Sequence, residues 1–125
     1  MPTNVCRPFF KPGQDITGFC TAAIAGKTFV VPVAGGRGGF PYIATAGAGA
    51  AAIGVAGHDQ VLGDTVHFNV GGTVPVRCAA DITAGTRVQS DAAGHAIPLA
   101  AGVPLGVATS NGVNGGSVSV QLNLG

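Results

Sequence analysis

Two histidines and two aspartates crowd together between positions 58 and 67: His58, Asp59, Asp64 and His67. Imidazole nitrogens and carboxylate oxygens form a donor set that suits Zn²⁺, but zinc sites use recurrent ligand spacings and this one matches none of them. The competing reading places Asp59 and Asp64 in a solvated turn and His67 on the polar face of a strand, and it is the one adopted. A second candidate is Thr21-Ala22-Ala23-Ile24-Ala25-Gly26-Lys27-Thr28, which ends like a phosphate-binding loop. Such a loop needs a first glycine, where this chain has Thr21, and a following helix. Here Phe29-Val30-Val31-Pro32 follows, a strand pattern ending in proline. Gly35-Gly36-Arg37-Gly38-Gly39 likewise lacks the helix of a dinucleotide fingerprint and reads as a flexible inserted loop with Arg37 at its tip. The chain has no glutamate and one tyrosine. A nucleophile, base and orienting acid cannot be named from such a set. The expectation is no catalytic residue, no metal and no cofactor.

The elements that would position these residues come in two related copies. Ile53-Gly54-Val55-Ala56 returns as Leu105-Gly106-Val107-Ala108 (105 − 53 = 52), and the same offset carries Val61 onto Val113, Val66 onto Val118 and Val70 onto Leu122. Cys20-Thr21-Ala22-Ala23-Ile24 aligns with Cys78-Ala79-Ala80-Asp81-Ile82 (78 − 20 = 58), and Thr28 and Val30 fall on Thr86 and Val88. The offsets differ because the first copy has an insertion between Val30 and Ile53. In the second copy Ser110, Asn111, Gly116 and Ser119 replace His58, Asp59, Asp64 and His67, and Ala84-Gly85-Thr86 keeps the turn without the lysine. Two such units suggest one pseudo-symmetric domain, since a solenoid needs three or more.

Residues 65–70 and 117–122 alternate polar and apolar, each after a glycine turn, which predicts half-buried antiparallel strands. Further short strands are expected at 28–33, 42–45, 52–56, 74–78, 86–90 and 103–108, with a turn at 91–94 leading into 95–98. With 22 Gly and 8 Pro, no window carries a helical stripe, and only 47–52 could form a short helix. The expected fold is all-β, a small antiparallel barrel or sandwich in which repeat one covers about 20–70 and repeat two about 78–122 of a single domain, 20–125.

Charged residues are 9% of the chain, against roughly 25% in an ordinary soluble domain. A surface so poor in charge implies burial against other chains, and hence a homo-oligomer or another protein partner. The net charge of +1 gives no field for nucleic acid or an anionic membrane. The apolar window 43–57 is shorter than the ~20 residues of a membrane span. The first eight residues lack the basic and apolar regions of a signal peptide. The 3 cysteines therefore read as thiols, with Cys20 and Cys78 as small buried side chains at matching core positions.

Residues 1–19 stand outside the repeats. Arg7-Pro8-Phe9-Phe10-Lys11-Pro12 sets two aromatics between cations and prolines, which keeps the segment extended. It reads either as an N-terminal arm or as a cover in which Phe9 and Phe10 close one open end of the barrel.

The succession Phe10-Lys11-Pro12-Gly13-Gln14-Asp15-Ile16-Thr17, Ile24-Ala25-Gly26-Lys27-Thr28-Phe29-Val30, Leu62-Gly63-Asp64-Thr65-Val66, Ile82-Thr83-Ala84-Gly85-Thr86 and Ile97-Pro98-Leu99-Ala100, with the two hydrophobic-Gly-Val-Ala strands, resembles the capsid decoration (head-stabilising) proteins of tailed bacteriophages. The resemblance runs over nearly the whole chain as a pattern of turns and small residues. It implies a small β-barrel or β-tulip-like virion protein, made in the host cytoplasm and added to the outer capsid surface, often as trimers, gripping neighbouring major capsid subunits through its arm. The capsid-binding residues would then be Arg7, Phe9, Phe10, Lys11 and Arg37, with no small-molecule substrate. The alternatives are a small β-barrel enzyme, which needs a pocket of convergent ionisable groups, and a β-rich adhesin or carbohydrate-binding module, which leans on exposed aromatic rings. Trp 0 and Tyr 1 argue against the latter.

Overall fold

A computed structural model describes residues 16–37, 40–61 and 65–123. All regular structure among them is β: β1 (Ile16–Cys20), β2 (Phe29–Arg37), β3 (Phe40–Thr45), β4 (Gly54–Ala56), β5 (Thr65–Asn69), β6 (Thr73–Arg77), β7 (Arg87–Ser90), β8 (Ala96–Pro98), β9 (Gly106–Ala108) and β10 (Ser117–Leu122). The strands follow from period two: in β10, Val118, Val120 and Leu122 are buried while Ser117 and Gln121 are exposed. β5 buries Val66 and Phe68 in the same way.

β1 to β5 form a closed barrel in the order β1-β3-β2-β4-β5. It is antiparallel throughout except for the β1–β3 pair, in which Cys20 lies opposite Ile43. β6 to β10 form a five-stranded sheet, β6-β10-β9-β7-β8, which is the same cyclic order read in the opposite sense. Its edges meet at a single parallel bridge between Cys78 and Ala96. β8 is three residues long and ends on a proline, which has no N–H to extend a ladder. β3 has six residues and closes its barrel fully.

Backbone hydrogen bonds recur at the two sequence offsets. Lys27 N to Ala56 O (2.9 Å) answers to Gly85 N to Ala108 O (2.7 Å), and Ile53 N to Val30 O answers to Leu105 N to Val88 O, both 2.9 Å. The isolated bridges Ile24–Gln60 and Ile82–Gly112 also correspond. The first barrel is filled by Cys20, Ile24, Val30, Ile43, Ala56, Val66 and Phe68. Their counterparts Cys78, Ile82, Val88, Ala96, Ala108, Val118 and Val120 lie in the second core. Two of these are smaller than their partners, and the second core is completed from across the joint by Phe29, Ala46, Ala52 and Val55 of the first half. Phe29 is fully buried, its amide donates to Gly94 O (2.8 Å), and its carbonyl accepts from Ala46 N (2.9 Å). Asp91 Oδ1 accepts from the amides of Ala93 and His95 (both 2.8 Å) and so shapes the turn that presents Gly94 to Phe29.

The structure departs from the sequence reading in three places. Residues 16–19, assigned to the leader, make up most of β1, whose alternation is interrupted by Gly18. β2 continues to Arg37, which pairs with Phe40 across a register shift after Val33, so the inserted glycine segment lengthens a hairpin and Arg37 belongs to its ladder. The stretch 47–52 is irregular: a local turn bond runs from Ala50 N to Gly47 O (3.2 Å), while Gly49 bonds across to Ser90 O and Val103 N of the second half. Six residues, two of them glycine, cannot outweigh the cost of nucleating a helix.

The paired turns make a test of backbone strain. Lys27 has a left-handed φ of 61°, and its counterpart Gly85 has a φ of 91°. A Cβ at Gly85 would meet nothing within 4 Å, so Gly85→Ala should cost about 1 kcal/mol from backbone conformation alone. Lys27→Gly should leave the midpoint of chemical unfolding unchanged or raise it. A clear loss on Lys27→Gly would show that the lysine side chain stabilises the turn.

Candidate functional site

Of the five residues that sequence singles out, Arg7, Phe9, Phe10 and Lys11 lie outside the described residues, while Arg37 is placed by its backbone at the end of β2. The strand registers nevertheless locate where β1 begins. β1 runs parallel to β3 with Phe19 opposite Tyr42 and Cys20 opposite Ile43. Because the pair is parallel, the start of β1 lies toward the end of β3 that begins at Phe40, the partner of Arg37. On its other side Ile16 pairs with Phe68 of β5. β1 thus begins at the end of the barrel that carries Arg37. The Phe19 ring stands edge-on to Tyr42 at 6.1 Å between centroids and 85° between planes, a favoured aromatic geometry. Tyr42 in turn packs over Gly35, where a Cβ would collide with its ring. The sequence reading did not draw out Phe19 and Tyr42. The signal was available: the 58 offset carries residues 16–20 onto 74–78, already expected to be a strand.

The phosphate-loop resemblance dissolves in the geometry. Gly26 N donates to Asp59 Oδ1 (2.7 Å), Lys27 N to Ala56 O, and the Thr28 hydroxyl to Ala25 O (2.6 Å). The amides that would cradle a phosphate are taken, and one of them already holds a carboxylate. In the second half Ala84 N donates to Asn111 Oδ1 (2.8 Å). The side chain at position 59 or 111 therefore does the same job, tying the turn before β2 or β7 to the loop after β4 or β9. Charge is not required for it.

The histidines do come together. His58 and His67 have ring centroids 4.9 Å apart with planes tilted by 53°, and His58 Nδ1 lies 2.9 Å from Asp59 O. Asp64 lies outside the described residues, and Asp59 is committed to Gly26. Among the described residues no three of His, Cys, Asp and Glu assemble as metal ligands. The corresponding serines also meet, with Ser119 N donating to Ser110 Oγ (3.2 Å). The position thus serves to join β5 or β10 to the preceding loop.

Cys20 and Cys78 are buried thiols at equivalent positions. Burial, and secondarily the nearby Asp81 carboxylate, hold the Cys78 thiol above the ordinary cysteine range. A thiol this shielded is a core side chain and not a nucleophile.

An open groove on the second half is lined by Arg87, Pro104, Gly106, Val107 and Asn123. Arg87 is the one ionisable group of that lining, so the groove offers no acid–base pair. Sequence reading gave these residues no role.

No protein-family model matches the chain, and neither does any curated protein. Among solved structures it is similar to the N base of head fiber gp8.5 of bacteriophage phi29, with a TM-score of 0.75 at 18% identity, over 89% of this chain and 94% of that one. At that identity the likeness is one of fold.

Two outcomes follow from the site geometry. Asp59→Asn should leave stability within about 0.5 kcal/mol of the parent, as Asn111 performs the same role uncharged, whereas Asp59→Ala should cost about 1 kcal/mol in urea unfolding. For Cys78, a folded-state pKa above the unfolded value means that stability is fully present below the unfolded pKa and is lost as pH rises toward the folded one. Stability should therefore decline above the ordinary thiol range, and Cys78→Ala should flatten that part of the profile.

Proposed function

We propose that this chain is a structural virion protein that binds the outer surface of a phage capsid and stabilises contacts between major capsid subunits. The observation that carries the reading is the fold shared over most of both chains with the head fiber base of a bacteriophage. It agrees with the independent resemblance of the turn-and-strand pattern to capsid decoration proteins. The protein acts without catalysis or cofactor, assembles with copies of itself as a trimer, and resides on the virion after synthesis in the host cytoplasm. Its partner is the major capsid protein, not nucleic acid, membrane or a small molecule.

The grip is the leader. Phe9 and Phe10 supply apolar anchors of the kind that dominate protein interfaces, and Arg7, Lys11 and Arg37 supply rim charges that govern on-rate and salt sensitivity. β1 begins at the end of the barrel that carries Arg37, which supports a single docking end that includes this residue. A shell lattice offers many such sites, and copies that bind neighbouring sites reinforce one another through effective concentration.

Sedimentation with empty expanded shells of the encoding phage tests this. The full chain should co-sediment, and a chain lacking residues 1–11 should not, while its thermal unfolding stays unchanged because β1 begins at Ile16. Undiminished binding by the truncated chain would refute the grip, and an unfolded product would favour Phe9 and Phe10 as a cover for the barrel.

A further inference from the structure

The open groove of the second half is the counterpart of the surface that the first half buries in the joint. Phe29 corresponds to Arg87 (87 − 29 = 58), Ala52 to Pro104 (104 − 52 = 52), Gly54 to Gly106 and Val55 to Val107 (107 − 55 = 52). Four of the five groove-lining residues are therefore equivalents of one outward face on β2, β4 and the segment before β4. Their surroundings are opposite. Val55 is 1% exposed against 37% for Val107, and Phe29 is 0% exposed whereas Arg87 and Pro104 are open to solvent.

What covers the first face is known from the joint itself. Gly94 O takes the amide of Phe29, Ser90 O takes that of Gly49, and Val103 N donates to Gly49 O. The covering surface thus belongs to β7, the turn after it and the segment before β9. On the first half Ser90 and Val103 have their equivalents in Pro32 (90 − 32 = 58) and Ala51 (103 − 51 = 52), both exposed, while the turn that holds Gly94 is replaced by the longer β2–β3 hairpin. Each chain accordingly carries one used pair of complementary faces and one unused pair.

We propose that the groove at Arg87, Pro104 and Val107 receives the Pro32 and Ala51 face of a second copy of this chain, repeating between copies the contact that joins the two halves within one. The contact is heterologous, so it builds a ring or a filament and not a face-to-face dimer. An arginine where the internal joint has phenylalanine suits this use, because arginine is enriched at interfaces between chains yet keeps the face soluble in the free subunit. The inference deepens the self-association part of the proposed function and is independent of capsid binding.

Analytical ultracentrifugation of the full chain and of two variants, with thermal unfolding as a control on folding, decides it. The wild type should associate. Val107→Asp, which spoils the groove, and Ala51→Asp, which spoils the opposite face, should each weaken association by about ten-fold or more. An equimolar mixture of the two should recover a dimer, because one variant keeps its face and the other its groove. Arg87→Glu serves as the groove variant if Val107→Asp unfolds. A monomeric wild type would overturn both self-association and the surface, and would mark the groove as a polar end cap. A wild type that associates while Val107→Asp and Arg87→Glu do so equally well would overturn the surface alone. Failure of the mixture to recover would overturn the head-to-tail arrangement.

Discussion

The structure depends on the burial of Phe29 between its two halves. A five-stranded barrel of this size encloses few side chains, and here seven residues fill the first one. Such a barrel gains little stability from its interior alone. Phe29 and Val55 point out of it and are buried only because the second half covers them. Removing a phenylalanine from water contributes about 3 kcal/mol, and the bond from the Phe29 amide to Gly94 O ties the second half to it. The second sheet depends on the same contact, since one bridge joins its edges and its core is completed by residues from across the joint.

The two halves share a strand order and equivalent backbone bonds yet differ in surface chemistry. Where the first half has Asp59 the second has Asn111, and where the first has His58 and His67 the second has Ser110 and Ser119. In each case the hydrogen bond or contact that ties the loops together survives the change of residue type. The ionisable character of the first set is thus dispensable for its structural work. A reading of these residues as a metal or catalytic centre has to stand without any support from the fold.

Charged residues are only 9% of the chain, and Val61, Val103, Val107 and Val113 are exposed. The groove is a face already shaped for a barrel, and β1 begins at the end that carries Arg37. The fold is shared with a phage head fiber base over most of both chains.

Sequence by itself determined the local pattern. The alternation in β5 and β10, the glycine turn before β10 and the matched thiols Cys20 and Cys78 are all legible, because side-chain period and turn chemistry are properties of neighbouring residues. β1 was obscured by Gly18, which removes one side chain from its alternation, and the hairpin beyond Val33 was obscured by glycines that read as loop until a partner strand is present. The candidate site was legible only as a list of residue types. Its leader residues carry no period, and the 58 and 52 offsets that reveal the groove mean nothing until the joint is seen. Only the tertiary structure decided which outward faces are covered. Phe29 and Arg87 occupy the same register on equivalent strands, and one is core while the other is surface because burial depends on what packs there.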